Sequence, residues 1–155
     1  MEKLYRLLYP MRVVIVTSKY GNKENVMAAA WCFPISMDPP LFGVSISRKR
    51  FSHGLISKGK AFGINLIGKD METEALLVGR NSGKEKDKFA EFCIGKEEGK
   101  LVPLLKDSHA SIECKLVKEM DLGDHVLFVG EAVNVVKRKE GKGLYHAGED
   151  KFIEI

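Results

Sequence analysis

The stretch from Asn25 to Leu66 most constrains the fold of this chain. It predicts a succession of strands, a turn and a helix around a surface of small side chains and hydrogen-bond donors. It contains two apolar runs that end in small or polar residues, VMAAAW and FGVSIS, then the basic cluster RKR, a short helical segment and the run AFGINL. Small residues allow a flat ring to approach the backbone closely, and the basic cluster with Ser52 offers donors for a phosphate beside a helix N-terminus. The stretch therefore predicts a site for a flat, phosphate-bearing cofactor.

The composition indicates a single domain that spans residues 1–155 and can bury a sizeable core. The net charge is +4, from 25 basic and 21 acidic residues, and both signs are interspersed along the chain. A protein that binds nucleic acid usually presents a clearer basic face. The charge pattern argues against a nucleic-acid partner and fits a protein that binds one anionic small molecule.

The cysteines predict a reducing compartment. Three are present, far apart and with no CxxC pair: Cys32, Cys93 and Cys114. An odd number cannot all pair within one chain, so we expect a cytoplasmic protein. The histidines have no ligand spacing with these cysteines, and we expect no metal site. The first residues, MEKLYRLLYPMR, and the rest of the chain lack the run of about 18–20 apolar residues that a membrane helix needs, so we expect neither secretion nor a membrane span.

Short segments rich in β-branched residues alternate with turn signals, and they predict a mainly β fold with interposed helices, a small decorated barrel. The predicted strands cover residues 11–19, 25–33, 41–47, 61–67, 111–122, 125–138 and 144–155. The predicted helices cover 51–59, with Ser52 as N-cap, 70–80, and a looser segment from about 87 that includes Phe89 and Phe92. We expect a short leading helix or arm over 3–9 and a surface loop over 95–100.

Two strand ends supply the candidate walls of the site. The first wall comprises Met27, Ala28, Ala29, Ala30 and Trp31, and the second comprises Ser45, Ile46, Ser47 and Arg48. A flat ring, apolar on its faces and polar on its rim, suits strand backbone with a few packed side chains. The alternatives are a buried strand in which alanines serve packing, and a solvated basic turn with a helix cap.

Several motifs, in order from about Tyr9 to Val136, carry a resemblance to a known family: NVMAAAW, DPPL, SISRKRFSHGLI, AFGINL, GRNSGKEKDKF and LGDHVLFVGEAV. Together they resemble the flavin reductase-like, FMN-binding split-barrel family. The resemblance implies an FMN-binding split β-barrel that forms a homodimer with the flavin at the subunit interface. It also implies hydride transfer from NADH or NADPH to FMN, followed by electron transfer to free flavin, ferric iron or a redox protein.

The resemblance further implies roles for individual residues. Relatives often have threonine at position 28, so Ala28 loses a side-chain hydrogen bond and backbone contacts remain. Ser52 and its amide would bind the phosphate, with Arg48 as a partner. A closing segment would comprise Asn81, Ser82, Gly83, Lys88 and Phe89. His125 would position the nicotinamide, although a lone histidine at a strand start can equally be structural.

Three other functions stay open on the sequence. The first is a flavoredoxin-like electron carrier that binds FMN and reacts poorly with nicotinamides. The second is a non-catalytic module in which the cluster from Arg48 to Arg50 meets nucleic acid. The third is a related split barrel that acts on a pyridoxine phosphate. If Ser52 and Lys88 bind the phosphate, we expect replacing either by alanine to weaken FMN binding and leave the fold intact.

Overall fold

The computed structural model describes residues 2–155, which contain twelve strands, three α-helices and two 3-10 helices. The strands are β1 Met11–Arg12, β2 Val14–Tyr20, β3 Lys23–Ala29, β4 Cys32–Ser36, β5 Leu41–Ser47, β6 Ala61–Leu66, β7 Lys96–Glu98, β8 Pro103–Leu105, β9 Ala110–Leu122, β10 His125–Lys137, β11 Leu144–Gly148 and β12 Lys151–Glu154. The α-helices are α1 Phe51–Gly59, α2 Glu72–Arg80 and α3 Lys88–Glu91, and the 3-10 helices are Leu4–Leu8 and Lys69–Met71. None of these helices is both long and apolar enough to cross a membrane.

Seven antiparallel strands form the main sheet, in the order β3-β2-β6-β9-β10-β5-β4. Its two edge strands, β3 and β4, are joined by Ala30 and Trp31 alone. Because so short a connection spans only about 10 Å, the sheet must curve until its edges approach one another. The amide of Ser45 in β5 donates to the carbonyl oxygen of Trp31 at 2.9 Å, which ties this crossing to the neighbouring strand. The result is a barrel that is split where β3 ends.

Alternation along β2 places apolar side chains in two cores. Val14 and Val16 face the barrel interior with residues such as Phe62, while Ile15 faces a second cluster on the other side of the sheet. That second cluster is formed with side chains from α2, α3 and β11. Burial on both faces explains why the run VVIV has no polar member.

Most predicted elements are confirmed, and two match residue for residue: the strand over 41–47 and the helix over 51–59. The predicted hairpin at Gly123 and Asp124 joins β9 to β10, and Gly123 has a φ of +68°. The predicted strand over 25–33 is wrong as a single element. β3 ends at Ala29 and β4 starts at Cys32, because the chain crosses there between opposite edges of the sheet.

Two other predictions near the surface are also corrected. Residues 144–155 form the hairpin of β11 and β12 instead of one strand, since the chain reverses between Gly148 and Lys151. Residues 95–100 are not wholly loop, because β7 pairs with β8. The buried carboxylate of Glu113 accepts from the amides of Leu101 at 2.7 Å and Val102 at 3.1 Å, which secures the connection between these strands.

Ser52 is not the N-cap of α1. Arg50 occupies the N-cap position without a side-chain capping bond, and Ser52 lies inside the first turn, fully buried. Its hydroxyl oxygen accepts from Asn25 Nδ2 at 2.9 Å. The serine therefore links α1 to β3 at the position where a phosphate site was predicted.

Candidate functional site

Three adjoining pockets lie around the split in the barrel, and Arg50 lines all of them. The ring pocket, about 160 Å³, is lined by residues 27–31 and 45–47, Arg50 and His125. The basic pocket, also about 160 Å³, is lined by the start of α1, the segment 80–83, Lys88 and two side chains of β3. The hairpin pocket, about 260 Å³, lies between residues 28–30, α2 and the β11–β12 hairpin. The ring and basic pockets meet at Met27 and Arg50.

The ring pocket assembles two predicted walls and the predicted histidine. The end of β3 supplies one wall and the end of β5 the other, and register places His125 of β10 opposite Ser47 of β5. The indole of Trp31 lies against the imidazole of His125, with ring centroids 4.6 Å apart and an interplanar angle of 32°. The pocket thus combines a floor of small side chains with one aromatic edge.

The imidazole of His125 is oriented by its neighbour in the chain. Nδ1 lies 2.7 Å from Oδ1 of Asp124, and this hydrogen bond lowers the pKa of the Asp124 carboxyl. An ionised carboxylate only accepts, so Nδ1 carries the proton and donates. In the neutral imidazole, Nε2 is then a hydrogen-bond acceptor.

The basic pocket concentrates positive charge. Four cationic residues line it: Lys49, Arg50, Arg80 and Lys88. The N-terminus of α1, nine residues long, adds backbone amides and the positive end of a helix dipole. A Cβ at Gly83 would lie 2.3 Å from Oδ1 of Asn25, so only glycine allows this wall to close. That Oδ1 is buried and has no hydrogen-bond partner in residues 2–155, which leaves an acceptor available to a ligand hydroxyl.

Lys88 has a structural role besides its charge. Its side chain is buried, and Nζ donates to the carbonyl oxygens of Val26 at 2.9 Å and Val78 at 2.8 Å. Burial, and then the nearby Arg50, lowers the pKa of Lys88 to about 8. The ammonium group therefore ties β3 to α2, and one of its three protons is left for the pocket.

The sequence matches the flavin reductase like domain over residues 4–154. This protein belongs to that family. It is 31% identical over 149 residues to a ferric-chelate reductase (NAD(P)H) of Archaeoglobus fulgidus, covering 94% of this chain and 86% of that protein. It is 38% identical over 136 residues to an uncharacterized protein of Pyrococcus abyssi, with 88% and 79% covered. A crystal structure of an FMN-binding protein from Thermus thermophilus with bound 1-cyclohex-2-enone superposes with a TM-score of 0.91 at 30% identity, covering 99% and 91%.

Membership of the flavin reductase-like family confirms the predicted fold, a mainly β split barrel. It also supports flavin binding and a general reductase function. Within residues 2–155, no group of three or more histidine, cysteine or acidic side chains could hold a metal ion.

Two predicted site residues lie apart from the three pockets of this flavin reductase-like fold. The guanidinium of Arg48 donates to Asp121 Oδ1 and to the carbonyl oxygen of Gly123, both at 2.6 Å, so it is turned toward the β9–β10 hairpin. The ring of Phe89 packs in the second apolar cluster, because it projects from α3 on a different side from Lys88. The other predicted residues line the ring pocket or the basic pocket.

Sequence reasoning missed Arg50, Arg80 and the whole hairpin pocket. Arg50 belongs to the basic cluster that the sequence singled out, but the family resemblance implies Arg48 as the partner of the phosphate. In the structure, Nη1 of Arg50 donates to the carbonyl oxygen of Gly79 at 3.1 Å, which directs the side chain across the pockets. The hairpin pocket combines the first third of the chain and α2 with the last ten residues, and no local pattern signals that these segments meet.

Proposed function

We propose that this protein binds FMN and, in the cytoplasm, uses it to accept a hydride from NADH or NADPH and to pass the two electrons to free flavin, ferric iron or a redox protein. The observation that carries the proposal is the junction of the ring pocket and the basic pocket at Met27 and Arg50. A flat ring with a phosphate on a short chain needs two such sites side by side. The similarity to a ferric-chelate reductase (NAD(P)H) and to an FMN-binding protein supports the donor, the cofactor and one of the acceptors.

The donor set of the two pockets fits FMN. The phosphate, with about two negative charges near neutral pH, would take the basic pocket, where Ser52, Arg50 and Lys88 provide charge and amides. Asn25 Oδ1, buried without a partner in the described residues, suits a hydroxyl of the ribityl chain. The ring would lie along residues 28–30, where methyl side chains permit close contact with the backbone.

Once bound, FMN supplies the chemistry of accepting a hydride and releasing electrons singly or in pairs. The chain's own residues would bind the cofactor and orient the nicotinamide. Arg50 places a positive charge between the phosphate and ring regions, where it would also favour negative charge on the ring. Trp31 and His125 form the edge against which a nicotinamide would be positioned.

We also infer a homodimer. The 3-10 helix over Leu4–Leu8 exposes Leu7 at 79% and Leu8 at 71%, and edge strand β4 exposes Phe33 and Ile35. Tyr5 of the same helix packs edge-on against Trp31 with ring centroids 5.3 Å apart, so this apolar surface adjoins the ring pocket. Exposed apolar surface next to a half-open ring site is typical of an interface. Sedimentation velocity on the flavin-loaded protein would test it.

Replacing His125 by alanine should slow flavin reduction about tenfold and change FMN affinity less than about twofold. The reason is that a positioning group acts on the donor's approach, whereas the FMN contacts lie elsewhere in the ring and basic pockets. Anaerobic stopped-flow absorbance measures the reduction rate, and a fluorescence titration measures the affinity. His53→Ala is the matched control, because His53 packs on Phe128 outside these pockets. An unchanged reduction rate would assign His125 a structural role.

Steady-state oxidation of NADH and NADPH tests the reductase proposal directly. With catalytic FMN, turnover should require an acceptor, either free flavin or a ferric chelate, and should continue for many cycles. A protein that retains FMN and supports no nicotinamide oxidation would instead be an electron carrier of the flavoredoxin kind. Product analysis with a pyridoxine phosphate covers the remaining split-barrel alternative.

A further inference from the structure

Arg80 stands at the boundary between the basic pocket and the hairpin pocket and lines both of them. It is the last residue of α2, and its guanidinium donates to the carboxylate of Asp150 at the tip of the β11–β12 hairpin. Two neighbouring cations of the basic pocket have uncharged partners, unlike Arg80. Lys88 and Arg50 are held by backbone carbonyls, which do not compete with a phosphate for charge. The carboxylate of Asp150, in contrast, is an anion and competes with a phosphate for Arg80.

The backbone of the hairpin tip holds Asp150 in the left-handed region. Gly148 pairs with Lys151, and the two residues between them have positive φ, +48° at Glu149 and +61° at Asp150. Positive φ at both central residues is what a type I′ turn requires, and Asn-Gly and Asp-Gly are the favoured pairs for that turn. Aspartate is one of the few residues with a Cβ that tolerate this region, so Asp150 suits the turn. Its carboxylate is thereby held at the tip, where it accepts from Arg80.

The hairpin also forms one wall of the hairpin pocket, through His146, Asp150 and Phe152. The end of the hairpin away from its tip is held in place, since Tyr9 packs on His146 with ring centroids 5.0 Å apart and β11 pairs with β1. The Arg80–Asp150 pair joins the free tip to α2. Both side chains are more than half exposed, so the pair is weak enough to be exchanged for a stronger anion.

We propose that Arg80 is a phosphate-binding residue and that Asp150 competes with the ligand's phosphate for it. The proposal rests on the proposed function, because the phosphate is that of FMN. A phosphate monoester in the basic pocket draws the guanidinium away from Asp150, since charge-assisted bonds to a dianion exceed those to an exposed carboxylate. Asp150 positions Arg80 in the flavin-free protein. Because FMN must displace Asp150 from Arg80, Asp150 reduces the preference of the site for FMN over riboflavin, which has the same ring and chain without the phosphate.

The test is a double-mutant cycle on the full-length protein freed of flavin, titrated with FMN and with riboflavin at low salt. Asp150→Asn keeps a residue that tolerates positive φ and removes the charge. It should raise FMN affinity about threefold and leave riboflavin affinity unchanged. Arg80→Ala should lower FMN affinity about tenfold, again without an effect on riboflavin. In the Arg80→Ala background, Asp150→Asn should have no effect.

Glu149→Gln is the matched control, because it removes the same charge from the adjacent turn residue. An equal gain in FMN affinity for Glu149→Gln, or a gain from Asp150→Asn that persists without Arg80, would overturn the proposal. An unchanged ratio of FMN to riboflavin affinity in Arg80→Ala would also overturn the proposal. It would not contradict the proposed function, because the wild-type protein would still bind FMN. A wild-type protein that binds neither ligand would overturn both this inference and the proposed function. If Arg80→Ala does not fold, Arg80→Gln takes its place in the cycle.

Discussion

Replacing Arg50 by alanine should weaken FMN binding about 10- to 100-fold. Arg50 lines the ring, basic and hairpin pockets, and a hydrogen bond to Gly79 holds its guanidinium in place. Hydrogen bonds to charged groups contribute about 1.5–3 kcal/mol, which corresponds to that range of affinity. A fluorescence titration of the flavin-free protein with FMN measures the change.

Arg48→Ala is a matched control for Arg50→Ala. It removes the same side chain from the same turn, but Arg48 is bonded to Asp121 and Gly123 outside the pockets. We expect its FMN affinity to stay within about twofold of the wild type, because exposed ion pairs contribute little. If Arg48→Ala weakens FMN binding as much as Arg50→Ala does, the original sequence prediction for Arg48 is right and the assignment to Arg50 is wrong.

Replacing Lys88 by methionine should destabilise the fold as well as weaken FMN binding. The substitution leaves the carbonyl oxygens of Val26 and Val78 without their buried donor. Each unsatisfied group costs about 1–3 kcal/mol, and relief of the buried charge offsets part of this, so we expect a loss of about 2–3 kcal/mol in the free energy of unfolding. Urea denaturation of the flavin-free protein measures it. The sequence alone predicted an intact fold for a Lys88 variant, and the structure revises that expectation.

Lys86→Met serves as the control for Lys88→Met. Lys86 lies two residues away, is partly exposed, and pairs with Glu91 at the surface. Its loss should change the unfolding free energy by less than about 0.5 kcal/mol. Equal stability of the two variants would mean that Lys88 does not tie β3 to α2.

The sequence predicted those elements whose ends carry local signals. β5 follows a turn rich in proline, and α1 is closed by Gly59 and by Lys60 in the left-handed region, so both were predicted correctly. The crossing at Ala30 and Trp31 has no such signal. It results from the curvature of the whole sheet, which brings β3 and β4 to opposite edges although they are neighbours in the chain.

In the candidate site, too, features that are continuous in sequence could be predicted and features that depend on distant residues could not. The ring pocket could be predicted because its two walls are strand ends, and each is continuous in sequence. Partners distant in sequence could not be predicted, such as the carbonyl of Val26 that holds Lys88 from 62 residues away. Whether Arg48 or Arg50 reaches the pockets depends on the direction in which each side chain extends from the turn. Contacts with the β9–β10 hairpin set this direction for Arg48, and the carbonyl of Gly79 sets it for Arg50.

The absorbance spectrum of the purified protein, recorded before and after anaerobic addition of NADH or NADPH, tests the central claim most directly. The bound cofactor is released and identified by mass in the same sample. We predict a flavin spectrum that bleaches with a nicotinamide donor, together with a cofactor that has the mass of FMN. A colourless protein that takes up no FMN, or a flavin band that neither donor bleaches, would contradict the claim.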